Sequence, residues 1–261
     1  MRYLRLFGMQ IRASLLLSMQ YRLEFVLDGF VEVFWMATAV VPLYVVYERR
    51  QDIAGWSFGE ALMVMGWFTF LQGVLEGAIN PSLVTVVDHI RKGTLDLLLM
   101  KPADAQFLVS TARLQPWRTV NVATAIAIFG WGFHLLRRVP SAAAVATASL
   151  AAVAAIAILY SLWIVTVSAA FYLVRIDNLT QLFNAVFDAA RWPAQVFRGV
   201  VRVILTFVIP LALMTTCPAE ALLGRLPLHV LAGCLLAGGL SLAVARRVWQ
   251  TSIARYTSAG G

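Results

Sequence analysis

The chain has 261 residues, of which 61% are hydrophobic and only 13% charged, about half the roughly 25% charge of a soluble domain. A mean hydropathy of +0.79 excludes a soluble enzyme and leaves one membrane domain, with room for about six crossings at ~20 apolar residues each. The 21 Lys and Arg exceed the acids by eight, but many sit at the ends of apolar runs. There they anchor and orient helices, so the excess does not mark a nucleic-acid binder.

Residues 1–22 alternate Arg2, Arg5, Arg12 and Arg22 with Leu, Phe, Ile and Met. This predicts an amphipathic helix lying in the membrane interface, basic face toward anionic lipid. The arginines interrupt the apolar stretch and no small-residue cleavage site follows, so the start does not read as a cleavable signal peptide. A first span is expected at 23–47. Its Glu24, Asp28 and Glu32, spaced by four, share one helical face and rise ~6 Å per step. An ionised acid facing lipid costs ~2.5–3.5 kcal/mol at the bilayer centre. Two readings stay open: a face turned to a pathway or second subunit, or interfacial acids with Glu32 paired structurally.

The second span is expected at 58–79. It ends in Gly73-Val74-Leu75-Glu76-Gly77, whose glycines at four-residue spacing permit close helix approach, read here as packing within the subunit. A polar loop, 80–104, follows Asn80-Pro81. Further spans are expected at 116–136 and 142–173. Next, 178–195 carries a stripe of Asn178, Gln181, Asn184 and Asp188, so this span faces protein or water. Pro193, Pro210 and Pro218 prevent a regular helix through the stretch that follows. Residues 197–217 therefore read as a segment that dips in and returns, and the last span lies at 226–248. The expected fold is all-α: six transmembrane helices, an interfacial first helix, and a re-entrant segment between spans five and six. Six spans place 13 of the 21 basic residues on one side with both termini, which makes that side the cytoplasm.

Catalytic motifs are missing from the sequence. Neither Lys92 nor Lys101 stands in a GxxxxGK[ST] setting, so no Walker A loop cradles a nucleotide. His89, His134 and His229 are far apart in sequence and make no metal-ligand spacing. Cys217 and Cys234 form no CxxC and read as small packing residues. No catalytic residue, metal or cofactor is assigned to this chain.

The loop core holds Asp88, His89, Arg91, Lys92, Gly93, Thr94, Leu95, Asp96, Lys101 and Pro102. Gly93 tolerates positive φ and can end one short helix; Thr94 or Asp96 can cap the next. Leu95, Leu97, Leu98 and Leu99 are too apolar to hang in water. Either this element rests on lipid headgroups, or it docks a cytoplasmic protein with Arg91, Lys92 and Asp96 as its polar rim.

Taken together, the basic first helix, the run His-Ile-Arg-Lys-Gly-Thr-Leu-Asp-Leu-Leu-Leu-Met-Lys-Pro at 89–102, the ending Arg255-Tyr256-Thr257-Ser258-Ala259-Gly260-Gly261 and the proline-bounded 193–218 stretch resemble the permease subunit of a type-2 ABC exporter, in its small bacterial six-span form. The resemblance covers essentially the whole chain, 1–261. It implies a permease that hydrolyses no ATP itself, working with two copies of a cytoplasmic ABC ATPase that bind ATP and magnesium. It also implies a second permease half, identical or paralogous, surrounded by lipid in the bacterial inner membrane. By this resemblance the 80–104 loop is the coupling element, and Glu24, Asp28, Glu32, Asn184 and Asp188 are candidates for the pathway or the subunit interface. Rival readings are a self-contained channel or secondary transporter, and a non-transporting membrane scaffold. The resemblance names no substrate.

Overall fold

The computed structural model describes residues 2–18, 22–49, 52–115, 118–172 and 177–256. Helix α1 spans Arg2–Ser18 and α2 spans Arg22–Glu48. A rod follows, built from α3 (Phe58–Val74), a π turn (Leu75–Ile79) and α4 (Asn80–Arg91). Two short helices come next, α5 (Asp96–Leu99) and α6 (Ala105–Ser110). They lead into α7 (Thr119–Leu136) and α8 (Ala142–Ser168), the latter extended by a 3-10 turn to Phe171. Helix α9 is Asp177–Asp188. Broken pieces α10 (Gly199–Val203) and α11 (Cys217–Leu222) precede the last helix, α12 (Leu228–Ile253).

Among the described residues, four helical segments are long and apolar enough to cross a membrane: Gly29–Glu48, Phe58–Arg91, Ala142–Phe171 and Leu228–Ile253. A shorter apolar helix, Val120–Leu136, accompanies them. The core is centred on α3, α8 and α12, with Phe68, Leu71, Trp163, Ile164 and Trp249 fully buried. Helix α2 stands largely outside it, exposing Phe30, Phe34 and Trp35.

The sequence places a loop from residue 80, yet the helix runs on to Arg91. Pro81 has no N–H, so the carbonyl of Gly77, four residues back, loses its ordinary donor. The N–H of Gln115 donates to that carbonyl instead, at 2.7 Å. Just before it, the helix widens into the π turn, where the Asn80 N–H reaches back to Leu75 O. A wider turn absorbs the misfit that a proline would otherwise turn into a break. Ser82 completes the dock: its Oγ accepts from the Arg113 N–H at 3.1 Å and donates to the Arg113 carbonyl.

Span five also differs from expectation. Helix α9 has 12 residues, ~18 Å at 1.5 Å per residue, against ~30 Å of hydrocarbon. It gives way to a 3-10 turn at Ala189–Arg191, and Trp192 is extended (φ −103°, ψ 145°), as the residue before a proline prefers. After α10 and a second π turn, Ile209 is likewise extended before Pro210. The chain then returns to the core through Leu211 and Met214, where the Thr215 hydroxyl donates to the Ala190 carbonyl at 3.1 Å.

Candidate functional site

The loop core folds as a compact knuckle at the end of the rod. Gly93 takes φ +65°, the left-handed conformation that only glycine adopts without strain, and the chain reverses there. The turn is closed twice: Thr94 N–H donates to the His89 carbonyl at 2.9 Å, and His89 Nδ1 meets Thr94 Oγ1 at 2.8 Å. The Thr94 hydroxyl is thus spent on His89. Helix α5 begins after Leu95 without a side-chain cap, which corrects the expectation that Thr94 or Asp96 caps it.

Burial divides the four leucines. Leu95 is fully buried in the main core, and Leu98 and Leu99 pack against it. Leu97 and Met100 turn outward, 67% and 80% exposed. Around them Asp88, Arg91, Lys92, Lys101 and Pro102 are exposed and Asp96 is half-buried. The result is two apolar knobs in a mostly basic rim, held on a rigid element. The chain's end braces it: Ile253 and Tyr256 join the same core, and the Tyr256 ring lies 6.0 Å from Phe171. Burial first, and then the nearby Asp96 charge, push the Tyr256 phenol above its ordinary value.

A clamp that the linear sequence does not reveal fixes the knuckle to the bundle. Asp104 caps α6, its Oδ1 accepting from the Phe107 N–H at 3.0 Å. Arg246 of α12 donates to the same Oδ1 at 3.1 Å, to Oδ2, and to Gln106 Oε1 at 2.9 Å. Gln106 Nε2 passes the network to the Tyr160 hydroxyl of α8 at 3.0 Å, and Ser110 joins it at 2.7 Å. Helix α1 docks on this segment: Tyr3 stacks edge-on against Phe107 with centroids 4.9 Å apart, and Ser14 Oγ accepts from Leu114 N–H at 3.1 Å.

The clamp has a pH signature. Hydrogen bonding from Arg246 outweighs desolvation and holds the Asp104 carboxyl below its ordinary value of 3.8. A depressed carboxylate stabilises the fold fully above its ordinary value, and the contribution is lost as pH falls through the folded value. Arg246→Ala should therefore lower the thermal midpoint in detergent near neutral pH. Both groups are more than a third exposed (41% and 34%), so the loss should be about 1 kcal/mol. The gap between variant and wild type should close as pH drops below 3.8; a gap constant across that range would mean the clamp is not ionic.

A second polar group lies along the rod. Glu76, in the π turn, pairs with Arg118 at 2.9 Å and accepts from Gln72 Nε2 at 3.1 Å. A Cβ on Gly73 would come within 2.9 Å of the Asn121 Cβ, and one on Gly77 within 3.2 Å of the Arg118 Cβ. The glycine pair therefore packs within the subunit, which lets Arg118 reach Glu76. On α9, exposed Asp188 pairs with Arg191 at 2.9 Å, and the Arg191 guanidinium lies 4.9 Å over the Phe68 ring. Asn184 is exposed on α9, on the same side as Asp188 by its four-residue spacing. Glu24, Asp28 and Glu32 lie along α2, with side chains outside the described residues.

The structure thus gathers the knuckle residues into one surface and pairs Asp188 with Arg191. Met100, Asp104, Arg246 and Arg118 join them without a motif, while Glu76 lies within the Gly73–Gly77 pair.

Comparison with known proteins bears on this architecture. A family model described as ABC-2 family transporter protein matches residues 33–260. No curated protein and no solved structure matches the chain. The family match takes in the rod, the knuckle, the clamp and α12, and the chain belongs to the ABC-2 family of membrane transporter proteins.

Proposed function

We propose that this chain is one permease half of an ATP-driven exporter and converts motion of a cytoplasmic ATPase into motion of its own helices. Family membership implies an ABC ATPase partner. The observation that carries the reading is the knuckle, where Leu97 and Met100 stand out among Arg91, Lys92 and Lys101 while Leu95 is buried. Apolar knobs with a charged rim suit a protein partner, and a partner pressing on them pushes a rod rather than a loose loop. That rod runs without a break to the π turn carrying Glu76.

In this reading ATP and magnesium bind the partner's two ATPase subunits, while this chain lacks a Walker A loop and contributes no covalent chemistry. A second half, identical or paralogous, faces it across the pathway, and lipid or that half covers the apolar surface of α2. Six crossings, with the fifth built from α9 and the returning segment, put both termini in the cytoplasm of a bacterial inner membrane. The ligand states differ in which permease arrangement they bind best, which is all that alternating access requires.

A gradient-driven carrier needs titratable relays deep in the bundle. Two acids of the described bundle are instead held in ion pairs, Glu76 with Arg118 and Asp188 with Arg191. The test is efflux of fluorescent amphiphiles from inside-out vesicles containing the chain and its ATPase. ATP-dependent movement that persists when ionophores collapse the ion gradients supports the reading. Movement that follows the gradient and ignores ATP makes this a secondary transporter.

A further inference from the structure

Beyond the surfaces already described, a cavity of about 290 Å³ opens among the broken pieces between α9 and α12, with no knuckle residue in its lining. Its apolar wall includes Val203, Ala212 and Cys217, and its polar wall Gln195 and Glu220. Gln195 Nε2 donates to Glu220 Oε1 at 3.1 Å, which fixes both side chains. That leaves Gln195 Oε1 buried with no hydrogen-bond partner, and an unmet buried acceptor is costly unless a donor arrives.

The charge balance points the same way. Arg225 forms its ion pair with Glu60, the buried third residue of α3, and its charge also reaches Glu220. Among the described residues Glu220 therefore has a neutral hydrogen-bond partner, Gln195, and no ion pair of its own. The cavity is at the small end of ligand pockets, which start at about 300 Å³. An apolar wall suits carbon, a lone acceptor suits N–H, and an unmatched carboxylate suits a cation.

We propose that this cavity binds the head of an organic ammonium ion bearing N–H donors, its nitrogen held between Glu220 and Gln195 Oε1 and its carbons against Val203 and Ala212. The ammonium is supplied either by an amine-bearing amphiphile or by a free small amine. Binding here belongs to the chain alone and does not depend on the ATPase reading.

The test is equilibrium dialysis of the purified chain in dodecyl maltoside, an amine-free uncharged detergent, with radiolabelled decylammonium and subtraction of empty micelles. Wild type should bind saturably, about one per chain, with decyl sulfate failing to compete. Glu220→Gln should weaken binding about tenfold or more, the loss expected for one charge-assisted hydrogen bond. Ala212→Leu fills the cavity while keeping both polar groups, and should abolish binding even if Glu220→Gln fails to fold. Glu48→Gln, an exposed acid on α2, should bind as wild type. Competition by propylammonium would identify a free amine as sufficient; its failure to compete would identify the amphiphile. Uptake no greater than in empty micelles, or equal uptake in wild type, Glu220→Gln and Ala212→Leu, would overturn the site.

Discussion

Arg91→Glu, made in the complex with its ATPase, should leave the permease folded and reduce ATP-driven transport about thirtyfold or more. Arg91 closes α4 at the exposed edge of the knuckle, away from the Leu95 anchor that sits in the core. Placing like charges across a protein contact costs several kcal/mol, and 1.4 kcal/mol is already a factor of ten. Thermal unfolding of the isolated permease should move little, because the pair interactions of an exposed surface charge contribute about 1 kcal/mol or less. The comparison variant Leu95→Ala should behave oppositely: it should destabilise the isolated permease by about 2–5 kcal/mol as well as weaken coupling. Transport and ATPase stimulation unchanged in Arg91→Glu would remove the knuckle from the interface.

Arg118→Leu should be the more damaging change to the bundle itself. Glu76 and Arg118 are only 26% and 23% exposed, and removing one partner of a buried pair costs about 3–5 kcal/mol. Leucine keeps the Arg118 Cβ that lies against Gly77, beside the carbonyl that the Gln115 N–H caps, so the loss reports the missing charge. The double variant Glu76→Gln with Arg118→Gln removes both charges and should recover much of the loss, since two neutral amides can still pair. Unfolding midpoints of single and double variants, measured together, decide it. A double variant no more stable than Arg118→Leu would mean that packing, and not charge, holds the π turn to α7.

The legible parts of this molecule are those set by local pattern. Apolar runs marked α2, α3, α7, α8 and α12 to within a few residues, and the spacing of Gly73 and Gly77 pointed to close packing. The apolar crowding at 95–99 pointed to burial of all its leucines, which holds for Leu95 and not for Leu97, 67% exposed. What stayed hidden depends on partners distant in sequence. Asn80-Pro81 reads as a break because its remedy, the Gln115 N–H, comes from a different segment. Arg246 reads as a membrane-edge anchor, since nothing near it announces Asp104, 142 positions away. The prolines at 193 and 210 showed that no regular helix continues past span five; they do not show that Thr215 would return to Ala190.

The central claim is that this chain transmits work from a separate ATPase through the knuckle. It is tested most directly by replacing Met100, 80% exposed, with a photo-crosslinking residue in the native host and identifying the captured protein by mass spectrometry. One dominant adduct with a Walker-A protein is expected, formed at the knuckle and lost when the crosslinker is moved to exposed Val139, in the loop after α7. Adducts only with lipid, or with Walker-A protein equally from both positions, would contradict it.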